Sequence, residues 1–298
     1  MDKNEYLYKF YSVNEDNLGA LSCSSLWFAV AYHFNDPFEG ALKPELSEFT
    51  EEKVVKLLKR IQELVNKGIL SENNVLGIKK ESMIDFEKKL LKNVVQNKDR
   101  FFKSAIAFFY EIFEDTRNRL LEENGMCSFS VTRKALEPID NILMWSHYGD
   151  GFKGFCIKFD KQKLIDSIPS KLFVAEKTIK YLDSPPIMDI HDFTNESLKD
   201  FTEDIKSNSK VFDWIFTKHS SWDYESEVRC LVEEGGLIEF DSRSIKEVYL
   251  GGKMPNDKKQ LVASVLNSLS PNIPILESIM KPNSFDFEHC PVQKNESV

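Results

Sequence analysis

Hydrophobic and polar positions alternate at the start of the chain. Residues 6–11 (YLYKFY) follow the two-residue period of a strand. Asn14, a good N-cap residue, opens a short helix to Ser22 that carries Leu18 and Leu21. Residues 26–30 (LWFAV) read as a buried strand, and the polar turn HFNDPFEG closes this unit. The period then changes. From about Ser47 to Asn124 the apolar spacing is helical. Thr50 caps a helix whose stripe of Val54, Leu57, Leu58, Ile61, Leu64 and Val65 ends at Gly68. A second helix is predicted from Ser82 to Asn97. A third, rich in phenylalanine, runs from Asp99 to Asn124 and stops at Gly125.

Beyond Gly125 the pattern is mixed. MCSFSV and GFCIKFD read as strands on either side of the compact run NILMWSHYG, and KLFVAEKTIKYL as another strand. Asn195 to about His219 is predicted helical. EVRCLVEE, LIEF and IKEVYLG are predicted strands, with a tight Gly235-Gly236 link between the first two. The helix expected over Pro255–Leu269, between IKEVYLG and PILESIM, predicts a terminal crossover unit. The fold class is therefore α+β. A single domain is expected over 1–298, with 47–124 as a helical insertion that either packs as a subdomain or selects a macromolecular substrate.

Charge and composition narrow the chemistry. The 298 residues carry 39 Lys and Arg against 48 Asp and Glu, a net −9, so non-specific binding to nucleic acid is not expected. Twenty-three phenylalanines with only 12 glycines and 11 prolines exclude fibrous and disordered classes. The five cysteines form no C-x-x-C pair, and three lie in strand-like runs. Reduced structural thiols and a cytoplasmic location are expected. No basic segment leads an apolar one and no apolar run approaches ~18 residues, so neither a signal peptide nor a membrane span is expected.

Common catalytic signatures are missing: there is no G-x-S-x-G, H-E-x-x-H or G-x-G-x-x-G, and Glu247 stands where a P-loop ending at Gly252-Lys253 needs glycine. Three clusters remain. Phe34 to Glu39 (FNDPFE) is either an Asx-type turn stapled by two phenylalanines or a polar wall in which Asn35, Asp36 and Phe38 meet a nucleotide. Ser128 and Ser130, followed by Trp145, His147 and Tyr148, offer either core anchors or stacking faces and donors for a flat heteroaromatic ring. In Trp222 to Arg229 (WDYESEVR), Glu225, Glu227 and Arg229 are expected on one strand face, as a surface ion ladder or as a pair of carboxylates with perturbed acidity.

With Leu7 to Tyr11, Phe34 to Glu39, Cys127 to Ser130, Met144 to Tyr148 and Trp222 to Arg229 in this order, the chain resembles a bacterial family of unknown function over roughly residues 6–251. Members are similar in setting to proteins of mobile and phage-defence loci. More distantly it is similar to ADP-ribosyltransferases, whose split mixed sheet carries an early Arg or His, a middle-strand Ser or Tyr, and a late Glu, often as E-x-E. Here the corresponding positions hold Tyr8 or Lys9, Ser128 and Ser130, and Glu225-x-Glu227; the first strand has neither Arg nor His.

That similarity implies a split mixed sheet and NAD as substrate. It implies that Glu227 holds the ribose 2′-OH and stabilises the oxocarbenium-like state formed as nicotinamide leaves. Glu225 would orient or deprotonate an acceptor on a protein or nucleic acid. Trp145, His147 and Tyr148 would line the ring pocket, Trp222 and Arg229 would border the site, and Lys9 would meet the pyrophosphate. A toxin or defence effector is the expected role. Two other readings stand beside it: a non-enzymatic sensor that contacts a protein through 47–124, and a nuclease binding Mg²⁺ through Asp36, Glu39, Glu225 and Glu227.

Overall fold

In the computed structural model the alternating start of the chain becomes β1 (Tyr6–Tyr11), and the capped run after it becomes α1 (Glu15–Ser22), where the Asn14 side chain accepts from the Asn17 amide at 2.8 Å. The structure describes residues 5–46, 50–70, 78–194, 210–270 and 272–292. The chain divides into two compact units, one formed by Met1–Pro37, Glu123–Asp183 and Lys218–Val298, the other by Phe38–Glu122 and Ser184–Thr217.

The first unit is built on an eight-stranded mixed sheet. Besides β1 it uses β4 (Gly125–Ser130), β5 (Phe155–Asp160), β6 (Phe173–Thr178), β10 (Glu227–Val232), β12 (Ile245–Gly251), β13 (Ile275–Met280) and β14 (Phe287–Pro291). The order is β14-β13-β12-β5-β1-β4-β10-β6. Every pairing is antiparallel except β12 with β13, which α6 (Asn256–Leu269) joins by the predicted crossover. Strand parity sorts the side chains. Leu7, Phe129, Phe155, Val228 and Val248 pack on one face with α1, α5 (Lys161–Ser167) and α6, whereas Tyr8, Phe10, Cys156 and Tyr249 point to the other and meet Trp145 of α4 (Ile142–His147). β2 (Ser25–Phe28) and β11 (Gly236–Glu239) form a separate hairpin-like pair. β1 and β4 are neighbours in this sheet and share a single register pair, Tyr8 opposite Ser130.

The second unit holds α2 (Glu51–Asn66) and α3 (Met83–Glu123), and pairs β3 (Lys43–Glu45) in parallel with β8 (Ile187–Asp189). Two helices were predicted across α3. The segment is two helices joined at a kink: Asn97 (φ −160°, ψ 82°) is non-helical, and its side chain caps the next turn by accepting from the Arg100 amide at 3.1 Å. The helix expected over Asn195–His219 is not formed in its described part. Residues 210–216 are a 3₁₀ segment and Thr217–His219 is a strand, β9; residues 195–209 lie outside the described set.

Candidate functional site

Three neighbouring strands bring the site together. In the registers of β1, β4 and β10, Tyr8 stands opposite Ser130 and Ser130 opposite Glu227, so these residues form one row across the sheet. Arg229, two residues on, shares the face of Glu227, and its Nε donates to Glu227 Oε1 at 2.9 Å. Ser128 Oγ donates to the same oxygen at 2.5 Å. Glu225 does not lie on that strand, contrary to the alternation expected for it. It ends a 3₁₀ segment (Ser220–Glu225), and Ser226, in the left-handed region at φ 46°, turns the chain into β10. The carboxylates of Glu225 and Glu227 nevertheless meet through Lys218 of β9, whose Nζ is 2.8 Å from Glu225 Oε2 and 2.7 Å from Glu227 Oε2, the latter a charge contact rather than an aligned hydrogen bond.

Tyr8, Ser128, Ser130, Lys218, Glu225 and Glu227 line a cavity of about 140 Å³ together with Lys9, Asn35 and Tyr148. Lys9 has the opposite strand parity from Tyr8. Because β1 and β4 part beyond one register pair, its ammonium still reaches the Ser128 carbonyl at 3.2 Å, and no carboxylate of the described residues pairs with it. The Tyr148 hydroxyl donates to Glu225 Oε1 and accepts from Asn35 Nδ2 at 3.3 Å. Phe34 adds a ring, which lies 5.1 Å from the Arg229 guanidinium. A second cavity, about 470 Å³ and lined by Arg133, Asn141, Asp223 and Tyr224 among others, borders Glu225 from the other side.

Burial and charge set the acidities. Burial pushes Glu225 up from the ordinary glutamate value, and the neighbouring Glu227 adds to this, only partly offset by Lys218. Burial would raise Glu227 as well, but Arg229 and Lys218 hold it well below the usual carboxylate range. The two share one ammonium, so they titrate as a pair in which Glu227 ionises first. Burial, then the charge of Glu225, pushes the Tyr148 phenol up.

Several residues that the motifs suggested lie elsewhere. Trp145 is 1 % exposed, donates Nε1–H to the Ile139 carbonyl at 2.7 Å and packs edge-on between Phe10 and Phe152; it is a core anchor and lines neither cavity of the site. His147 is exposed, with Nδ1 2.7 Å from the Tyr224 hydroxyl, and does not border the smaller cavity. Arg229 is wholly buried and braces Glu227 from behind instead of lining the space. Asp36 is buried off the cavity, while Phe38 is exposed in the second unit. Trp222 stacks toward Lys218, its ring centroid 5.7 Å from Nζ. Lys218 was missed: it lies inside a run predicted as helix, and its only signal is a lysine set among Trp214, Phe216 and Trp222. Tyr181, whose hydroxyl accepts from the Glu227 amide at 2.8 Å, was missed too.

Residues 144–230 match the model of a protein family of unknown function, DUF2971. That range begins at Met144 of α4 and ends inside β10, so it contains Tyr148, Lys218, Glu225, Glu227 and Arg229 but not β1, the FNDPFE turn or β4. No curated protein and no solved structure matches the chain. Among the described residues, Asp189, His191 and Asp192 of the second unit bring ligand atoms within 4.8 Å of one another, but the Asp189 carboxylate caps the following turn by accepting from the Asp192 amide. No helix of the described chain is long and apolar enough to cross a membrane.

Proposed function

We propose that the cavity beside β1, β4 and β10 is the reaction site of an ADP-ribosyltransferase-like enzyme that consumes NAD and modifies a protein or nucleic-acid acceptor. The observation that carries this reading is the row Tyr8–Ser130–Glu227 across β1, β4 and β10, with Ser128 fastened to the same glutamate. An early, a middle and a late strand each deliver a residue to one small space.

The residues suit the parts of that substrate unequally. A cavity of about 140 Å³ is below the ~300–1,000 Å³ of sites that enclose a whole small ligand, so it would take the nicotinamide ring and the reactive edge of its ribose. Tyr8, Phe34 and Tyr148 supply ring faces for it. Lys9, a cation with no carboxylate partner, would meet the phosphates that run over the open side. Glu227, fixed by Ser128 and Arg229 and kept ionised, would face the ribose carbon where positive charge builds as the glycosidic bond breaks. A preorganised charge of that kind is worth on the order of 10²–10³ in rate. The larger cavity beyond Glu225 would admit the acceptor. A toxin or defence role belongs to the same reading.

The test is nicotinamide release and labelling of lysate macromolecules from labelled NAD by the unchanged protein, Glu227→Gln and Ser128→Ala. Turnover by the unchanged protein, a loss on the order of 10²-fold or more in Glu227→Gln and a smaller loss in Ser128→Ala support it. Absence of turnover and of any NAD-dependent thermal shift refutes it. One observation favours a non-enzymatic recognition module instead: three of the four carboxylate oxygens already accept hydrogen bonds, from Ser128, Arg229, Tyr148 and Lys218, and the fourth faces the Lys218 ammonium. The same arrangement weighs against the Mg²⁺ nuclease, because a lysine ammonium occupies the position between the carboxylates where the ion would bind.

A further inference from the structure

Two buried carboxylates that share one ammonium are not equivalent here. Glu227 Oε1 receives Ser128 and Arg229, and its Oε2 faces Lys218. Glu225 receives the Tyr148 hydroxyl on Oε1 and Lys218 on Oε2, so among the described residues a single cation pairs with it. The groups that face Glu225 are Lys218 of β9, Glu227 of β10, Tyr148 behind α4, Tyr181 of β7 (Lys180–Leu182) and Tyr224 just before it. The three tyrosines are neutral at ordinary pH and Glu227 repels, so any charge on Glu225 depends on Lys218.

We propose that Lys218 is the positioning residue of this site, clamping Glu227 against β10 as the permanent carboxylate and leaving Glu225 as the group that exchanges a proton. The proposal rests on the reading of the cavity as a reaction site, where a fixed anion and a proton carrier side by side divide the work between them. Lysine fits this place because its compact ammonium sits within 2.8 Å of both carboxylates at once, whereas an arginine fork would engage one of them face-on. The position of Glu225 between the two cavities gives the exchanged proton a route to a group bound in either.

The experiment uses the full chain with ¹³C-labelled glutamate. The carboxyl resonance missing from the spectrum of Glu225→Gln identifies Glu225, and its titration is followed in the unchanged protein and in Lys218→Met. In the unchanged protein it is expected to titrate above the ordinary glutamate value of about 4.3, and in Lys218→Met to bind its proton at least tenfold more tightly. Thermal melts give a second readout. A carboxyl whose folded value is raised costs stability as pH rises past its unfolded value, so the deficit of Lys218→Met is expected to grow from pH 4.5 to pH 8 and to be relieved by adding Glu225→Gln. A deficit of equal size at both pH values, or one that Glu225→Gln leaves in place, overturns the proposal. If Lys218→Met does not fold, the resonance in the unchanged protein decides alone: titration at or below about 4.3 overturns it. None of these readouts requires NAD turnover, so failure of the transferase reading and failure of this inference are told apart.

Discussion

Replacing Glu227 by glutamine keeps the shape of the side chain and removes one negative charge from between two buried cations. Arg229 is 0 % and Lys218 7 % exposed, so neither can turn to water. Breaking a buried ion pair from one side costs about 3–5 kcal/mol. The Ser128 hydroxyl can still donate to the amide oxygen, which returns about 1 kcal/mol. The net loss is then about 2–4 kcal/mol. Urea unfolding measures it directly: with a slope of about 1–3 kcal/mol/M, the midpoint falls by roughly 0.7–4 M while the slope stays the same. The double variant Glu227→Gln/Arg229→Met should lose less than the sum of its single changes, because the second substitution removes the stranded charge. A midpoint shift under about 0.3 M, or full additivity, would refute this network. The result also sets the terms of the activity test, since Glu227→Gln must be assayed well below its own transition.

The acidity of Glu227 carries a pH dependence with a definite sign. Its folded value is depressed, so its contribution is complete above the unfolded value of about 4.3 and is lost as pH falls below it; the gap in melting temperature between the unchanged protein and Glu227→Gln should therefore close toward pH 3. Cys127, Cys156 and Cys230 are buried, and burial pushes their thiols up, while Cys23 is exposed. A thiol reagent should label Cys23 in the native protein and reach those three only on unfolding, and fast labelling of any of them would contradict the packing. Trp145→Ala should cost about 3–5 kcal/mol, read by chemical unfolding, because it empties the space between Phe10 and Phe152 and strands the Ile139 carbonyl.

Local period was the part of the fold most legible in the chain. YLYKFY, GFCIKFD and EVRCLVEE became β1, β5 and β10, and the capped run after Thr50 became α2, since each of these segments carries the face pattern of its element in its own residues. The break at Asn97 was legible as well, because an asparagine that caps the next turn interrupts the apolar stripe. The motif residues divided according to burial. A tryptophan, a histidine and a tyrosine in one short helix look alike in sequence, but the pleat and helix face sent Trp145 inward, left His147 outside and turned only Tyr148 to Glu225. The alternation across Trp222–Arg229 failed at one residue. Ser226 adopts a left-handed conformation that no periodicity announces, and Glu225 therefore arrives from a turn. Lys218 could not be found by pattern, because its role depends on two carboxylates that reach it only in the folded chain.

The strand order of the large sheet has a consequence for how the protein is made. Lys9 and Ser128 are 119 residues apart, and Ser128 and Glu227 another 99. At about 5–20 residues per second of synthesis, the first strand waits roughly 10–45 s for the strand that completes its site. Until β10 emerges, β4 has an open edge, with backbone donors and acceptors ready for any strand that passes. A nascent chain halted before residue 227 therefore carries an unpaired β4 edge that β10 covers only when it is made.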